Sequence, residues 1–290
     1  MKKILFKGCG TAIVTPFKGD TINLVEFKRL LDYQIQNSAD SIIVCGTTGE
    51  SATLTKDEKT KLIKCAVETC KGKIPVIVGT GSNNTKSAIE QSILAEQLGA
   101  DGLLVVTPYY NKCTQEGLVQ YYSSIASSVK LPIIMYNVPS RTGVNIEPQT
   151  CFELSKINNI VAIKEASGNL SQIAKTANLC RNNLHIYSGN DDQILPILSL
   201  GGIGVISVLS NIYPKVVHDI CFNYFEKNYE VAKEIQLNNL PLINSLFEEV
   251  NPIPIKSALN LLGFDVGLPR APLTPASMNL RKKLKLLLQV

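Results

Sequence analysis

Short apolar runs rich in isoleucine, valine and leucine recur along the whole chain, at residues 11–15, 41–45, 75–79, 102–107, 131–136, 160–164, 184–188 and 203–209. Most are continuous rather than alternating in polarity, the pattern of strands buried on both faces of a parallel sheet. Between them, apolar positions fall at helical spacing. The clearest such segment opens at Thr55, with Glu58 three residues on to complete a capping box, and places Leu62, Ile63, Ala66, Val67 and Cys70 on one face. Another runs from about Thr85 to Leu98 and stops at Gly99, a residue suited to a left-handed cap. Eight strand–helix alternations, with no dinucleotide fingerprint after the first strand, predict an α/β fold of the (β/α)8 TIM barrel type over residues 1–223. From about Tyr224 to Leu262 the pattern is helical without strands, and a proline-rich stretch then leads to an amphipathic segment, Met278–Leu288. Residues 224–290 therefore read as a C-terminal helical extension that closes the barrel base or makes subunit contacts.

Composition narrows the class. Hydrophobic residues make up 45% and charged residues 18% of 290, which suits a globular chain with a large core. The net charge of +5 comes from the two ends, where Lys2, Lys3, Lys7, Arg281, Lys282, Lys283 and Lys285 stand without acids. The rest is near neutral, with no basic stripe for nucleic acid. The opening M-K-K-I-L-F-K-G is too short for a signal peptide and no run is long enough to span a membrane, so a cytoplasmic protein is expected. The eight cysteines form no C-x-x-C pair and read as free thiols. With only His185 and His218, neither at ligand spacing, a metal site or histidine triad is not expected. Acid–base work then falls to Lys, Tyr, Thr or carboxylates.

Barrel enzymes place their chemistry at the C-terminal ends of the strands, so the residues that close each apolar run are the candidates. Lys164 closes I-V-A-I-K. A lysine there either snorkels or pairs with an acid such as Glu165, or it is desolvated and becomes an amine nucleophile of the Schiff-base kind. After the second run comes G-T-T-G-E-S, with the hydroxyls of Thr47 and Thr48 and exposed N–H groups that suit a carboxylate. The simple-turn reading stays open for this segment, while the absence of G-K-[ST] argues against a phosphate loop. T-P-Y-Y-N-K (107–112) and Y-N-V-P-S-R-T-G (136–143) bring Tyr110, Tyr136 and Arg141 to the same face. The tyrosines serve as rim packing or as proton donors, and Arg141 is either solvated or a bidentate carboxylate ligand. S-G-N-D (188–191) and G-G-I-G-V-I-S (201–207) follow the seventh run and enter the eighth, where glycine serves phosphate binding or close packing.

Together with N-P-I-P-I-K (251–256), these motifs resemble the dihydrodipicolinate synthase family of the pyruvate-dependent class I aldolase superfamily, over about residues 8–275. The resemblance implies a lyase in which Lys164 forms an imine with pyruvate and Thr47 and Thr48 hold its carboxylate. It further implies that Tyr136 is the general acid–base group, in a proton relay with Thr47 and with Tyr110 of a neighbouring subunit. Arg141 would bind the carboxylate of L-aspartate-4-semialdehyde, and the backbone carbonyls of Gly189 and Ile206 would border the lysine. No metal or organic cofactor is needed, since the cationic imine is itself the electron sink. The implied partners are the two substrates and further copies of the chain, as a dimer of dimers. A 2-keto-3-deoxy sugar acid aldolase, an N-acetylneuraminate lyase-type enzyme and a non-catalytic barrel are the alternatives.

The resemblance also carries a regulatory expectation. In lysine-inhibited members the inhibitor pocket matches Ser51, Ala52, Lys56, Lys59, Asn83, Ser87 and Tyr109. Those members carry a carboxylate at the position of Ser87 and a histidine or glutamate at that of Lys59. Here the carboxylate is missing and Lys56, Lys59 and Lys86 add positive charge, so weak or absent inhibition by lysine is expected.

Overall fold

The computed structural model describes residues 2–290. Strand β1 (Gly8–Ala12) leads into a small antiparallel ribbon, β2 (Phe17–Lys18) and β3 (Thr21–Ile22), and then α1 (Leu24–Gln36) and β4 (Ser41–Val44). The alternation continues through α2 (Lys56–Cys70), β5 (Val76–Gly79), α3 (Thr85–Gln97), β6 (Gly102–Val106), α4 (Gln115–Ser128) and β7 (Ile133–Asn137). A single turn α5 (Pro139–Thr142) precedes α6 (Pro148–Leu154), β8 (Ile160–Glu165), α7 (Leu170–Cys180), β9 (His185–Ser188), α8 (Ile194–Ser199), β10 (Gly204–Ser207) and α9 (Pro214–Phe225). Helices α10 (Tyr229–Ser245), α11 (Ile253–Leu261) and α12 (Met278–Leu288) follow. All strands but the ribbon close into one parallel barrel, with β1 paired to both β10 and β4. The expected (β/α)8 architecture with C-terminal helices is the one present.

Two layers of apolar side chains hold it. Inside the barrel, Ile43, Ile77, Leu104, Ile134 and Ile206 fill the lumen, and Phe6 plugs its N-terminal end, stacked on Tyr187 at 4.4 Å. The Tyr187 hydroxyl donates to the Phe6 carbonyl at 2.6 Å, so the ring that fills the lumen also ties down the leading segment. The second layer lies between strands and helices and runs without a break into α10, α11 and α12 through Leu242, Leu259 and Leu284. Local signals act as the sequence suggests: Thr55 and Glu58 close a reciprocal capping box on α2, and Gly99, at φ +87°, follows the end of α3.

The first strand departs from expectation. The apolar run 11–15 pointed to a strand three residues later than the observed Gly8–Ala12. The register is set instead by close backbone approach, because a Cβ on Gly204 would lie 2.2 Å from the Gly8 carbonyl oxygen. Ile13 and Val14 continue as buried loop beyond the strand. Gly202 and Gly204 likewise serve packing at the entry to β10, where a Cβ on Gly202 would lie 2.7 Å from Ile197 Cγ2. That places them at the opposite end of the barrel from the strand-end motifs.

Candidate active site

Successive side chains on a strand point to opposite faces, and β8 uses this to separate two neighbours. Lys164 points into the barrel mouth, 6% exposed, while Glu165 points outward into the layer beneath the helices. There the Glu165 carboxylate accepts hydrogen bonds from Asn137 Nδ2 at 3.1 Å and the Ser167 N–H at 2.8 Å, and burial pushes its pKa up. It is therefore no charge partner for Lys164, which makes no ion pair with any described residue.

The register sets Lys164 between Tyr136 on β7 and Tyr187 on β9. Its Nζ lies 4.3 Å from the centroid of the Tyr136 ring, and Tyr136 is itself buried. Gly189 leaves the room this needs: a Cβ there would stand 2.6 Å from Ala166 Cβ and 3.1 Å from Lys164 Cε. Thr47 and Thr48 follow β4 and face the same cavity of about 170 Å3, as does Arg141 from α5. Among the described residues Lys164 and Arg141 are the charged side chains lining it, and none of the lining residues is acidic. Such a cavity favours anions, and it presents a buried amine, two hydroxyls, a phenol and a guanidinium to whatever enters.

Two further residues complete the mouth from outside the strand-end motifs, Phe247 and Asn251, and Ser140 joins them from within the 136–143 motif. Asn251 Nδ2 donates to Thr48 Oγ1 at 3.0 Å, and its backbone carbonyl accepts from Arg141 Nη2 at 3.2 Å. The loop that carries the threonines is anchored below. Glu50, in the left-handed region at φ +55°, is buried against Lys256 at 2.9 Å, and its other oxygen accepts the Arg270 N–H at 2.8 Å. The N-P-I-P-I-K motif thus braces the G-T-T-G-E-S loop, a task its sequence did not disclose. An ionic residue inside the otherwise apolar face of α11 was the available signal.

The model of the Dihydrodipicolinate synthetase family matches residues 5–290. The chain belongs to the dihydrodipicolinate synthetase family. Among curated members it is 57% identical over 269 residues to 4-hydroxy-tetrahydrodipicolinate synthase 1 of Clostridium acetobutylicum, covering 93% of this chain and 92% of the relative. The solved dihydrodipicolinate synthase of Thermotoga maritima superposes with a TM-score of 0.97 at 47% identity, covering 99% of this chain and 98% of the other. A monomeric dihydrodipicolinate synthase variant also aligns with a TM-score of 0.97 at 47% identity, over 98% of this chain and 96% of the variant.

Not every candidate from the sequence reaches the cavity of this family member. Lys164, Tyr136, Thr47, Thr48, Arg141 and Gly189 line it together. Ile206 lies wholly buried in the lumen core and is not among the lining residues. Tyr110 stands apart, 91% exposed on a loop at φ +72°.

Proposed function

We propose that this chain condenses pyruvate with L-aspartate-4-semialdehyde to give 4-hydroxy-tetrahydrodipicolinate, the step of diaminopimelate and lysine synthesis for which its relatives are named. The observation that carries the reading is Lys164, a buried lysine that makes no ion pair among the described residues and lines a cavity with no carboxylate among its described lining residues. Its neutral amine attacks the pyruvate ketone and water leaves, giving an iminium whose carboxylate rests on the Thr47–Thr48 loop. Loss of a methyl proton gives the enamine, with the positive nitrogen taking the electron pair. The enamine carbon attacks the semialdehyde, whose carboxylate pairs with Arg141, and the Tyr136 hydroxyl supplies a proton to the new alkoxide. Attack of the substrate amine on the iminium carbon then closes the ring and releases Lys164.

In this scheme Tyr136 exchanges its proton through Thr47 and through Tyr110 of a second copy. The exposure of Tyr110 and Tyr109 supports a subunit contact at this loop, and a homo-oligomer built as a dimer of dimers is the assembly we propose. The enzyme works in the cytoplasm. Lysine is at most a weak inhibitor: at the matching positions Lys59 Nζ donates to Gln91 Oε1 at 2.9 Å and Ser87 Oγ accepts from Gln91 Nε2 at 3.2 Å, so an amide stands among those residues and no carboxylate.

A steady-state assay with pyruvate and L-aspartate-4-semialdehyde, repeated with lysine to 1 mM or beyond, tests the reading. Turnover without marked lysine inhibition is expected. Pyruvate release from 2-keto-3-deoxy sugar acids or N-acetylneuraminate, without condensation, would instead make the chain an aldolase of another branch.

A further inference from the structure

Thr48 is 2% exposed and its hydroxyl makes one hydrogen bond among the described residues, the one it accepts from Asn251 Nδ2. A hydroxyl has one proton and two lone pairs. With a lone pair engaged by an N–H donor, its proton is left to point elsewhere, and the space beside Thr48 is the cavity. From this hydrogen bond we infer that Asn251 is a positioning residue that sets the direction of the Thr48 hydroxyl, holding its proton toward the site where the pyruvate carboxylate binds. The inference rests on the proposed function, since it takes the ligand at Thr48 to be a carboxylate.

Two further observations fit this role. Asn251 Oδ1 is buried and accepts no hydrogen bond among the described residues, so the contact of its nitrogen with Thr48 is the one side-chain hydrogen bond this amide makes among them. The residue also divides its contacts by atom type: its side chain serves Thr48, while its backbone carbonyl serves Arg141. Replacing the side chain therefore removes the link to Thr48 and keeps the link to the guanidinium. A general loss of order at the mouth would weaken both substrates together.

The test measures the pyruvate concentration that half-saturates borohydride trapping, alongside KM for the semialdehyde. Asn251→Leu, neutral and similar in volume, should raise the half-saturating pyruvate concentration about tenfold, the scale of one charge-assisted hydrogen bond, with the semialdehyde KM within about twofold. Asn251→Asp should raise it further, because a carboxylate would draw the Thr48 proton away from the cavity, and this variant serves equally if the leucine variant does not fold. In a Thr48→Val background Asn251→Leu should add less than about twofold, since the two substitutions remove the same hydroxyl donor. Unchanged pyruvate saturation in Asn251→Leu, fully multiplicative effects in the double variant, equal shifts for both substrates, or an Asn251→Asp variant that binds as well as the parent would each overturn the inference. A parent enzyme that traps no pyruvate at any concentration would overturn the functional reading and this inference with it.

Discussion

Two lysines are buried in this fold, one on β8 and one on α11, and their surroundings could hardly differ more. Lys256, fully buried on α11, donates to Glu50, to the Thr15 carbonyl at 3.1 Å and to the Leu268 carbonyl at 3.0 Å, and lies over the Phe17 ring at 4.2 Å. Three donors meet three acceptors, which is all an ammonium can offer. Burial lowers its pKa and the Glu50 carboxylate works against that shift. Lys164 is nearly as buried but meets an aromatic face, a glycine and open cavity. The difference teaches that burial alone does not make a lysine reactive. A fully paired ammonium is a brace, while one that lines a cavity and makes no direct ion pair, with the buried Asp191 carboxylate acting on it only at longer range, is available for chemistry.

The largest test of that contrast is to remove each amine in turn. Lys164→Ala should abolish condensation, by about a thousandfold or more, with the folded structure and its unfolding midpoint little changed, because no ion pair is lost. Lys256→Met should chiefly cost stability, with a smaller loss of turnover through the loop that Glu50 anchors. It leaves Glu50 charged and buried without its partner, a cost of about 3–5 kcal/mol in urea unfolding, and Lys256→Met with Glu50→Leu should recover part of it. Equal losses of activity and stability in both single variants would erase the distinction.

A smaller effect sharpens the Lys164 side. Tyr136→Phe keeps the ring beneath the amine and removes only the hydroxyl, so kcat should fall about a hundredfold while borohydride trapping of pyruvate persists. Loss of trapping together with turnover would mean that the hydroxyl is needed to form the imine itself.

The smallest effect concerns the brace. Hydrogen bonds from the Arg270 guanidinium hold the Glu58 carboxyl down to about 2, against an ordinary value of 4.5. A depressed carboxyl contributes stability that is fully present above its unfolded value and is lost as pH falls through its folded value. Stability should therefore fall more steeply between pH 4.5 and pH 2 in the parent than in Glu58→Gln, as read by urea midpoints across that window. Parallel pH curves would show that the Arg270 clasp carries no linkage.

The same pair of lysines shows what the chain order discloses. Lys164 was legible because an apolar strand ending in a cation is a local pattern, and the hydroxyls, phenol and guanidinium of the site likewise end strands or follow them closely. The eight-fold alternation was legible for the same reason. Lys256 was recognisable only as part of a motif, since its partner Glu50 lies 206 residues away and no local rule pairs them. Asn251 was missed for this reason too, with Thr48 203 residues distant. The first strand was misplaced because its register depends on glycine backbones meeting across the barrel seam, and small residues leave no apolar signal to follow. Glu165 looked like a partner for Lys164 in the linear order, but strand alternation sends the two side chains to opposite faces.

In the proposed mechanism the amine that makes no ion pair, and not the paired one, carries the chemistry. Incubation with pyruvate and borohydride, followed by peptide mass spectrometry, tests it most directly. A reduced three-carbon adduct is expected on Lys164, stoichiometric with loss of activity, with Lys256 unmodified. An adduct on Lys256 or another lysine, or full activity retained with no adduct on Lys164, would contradict it.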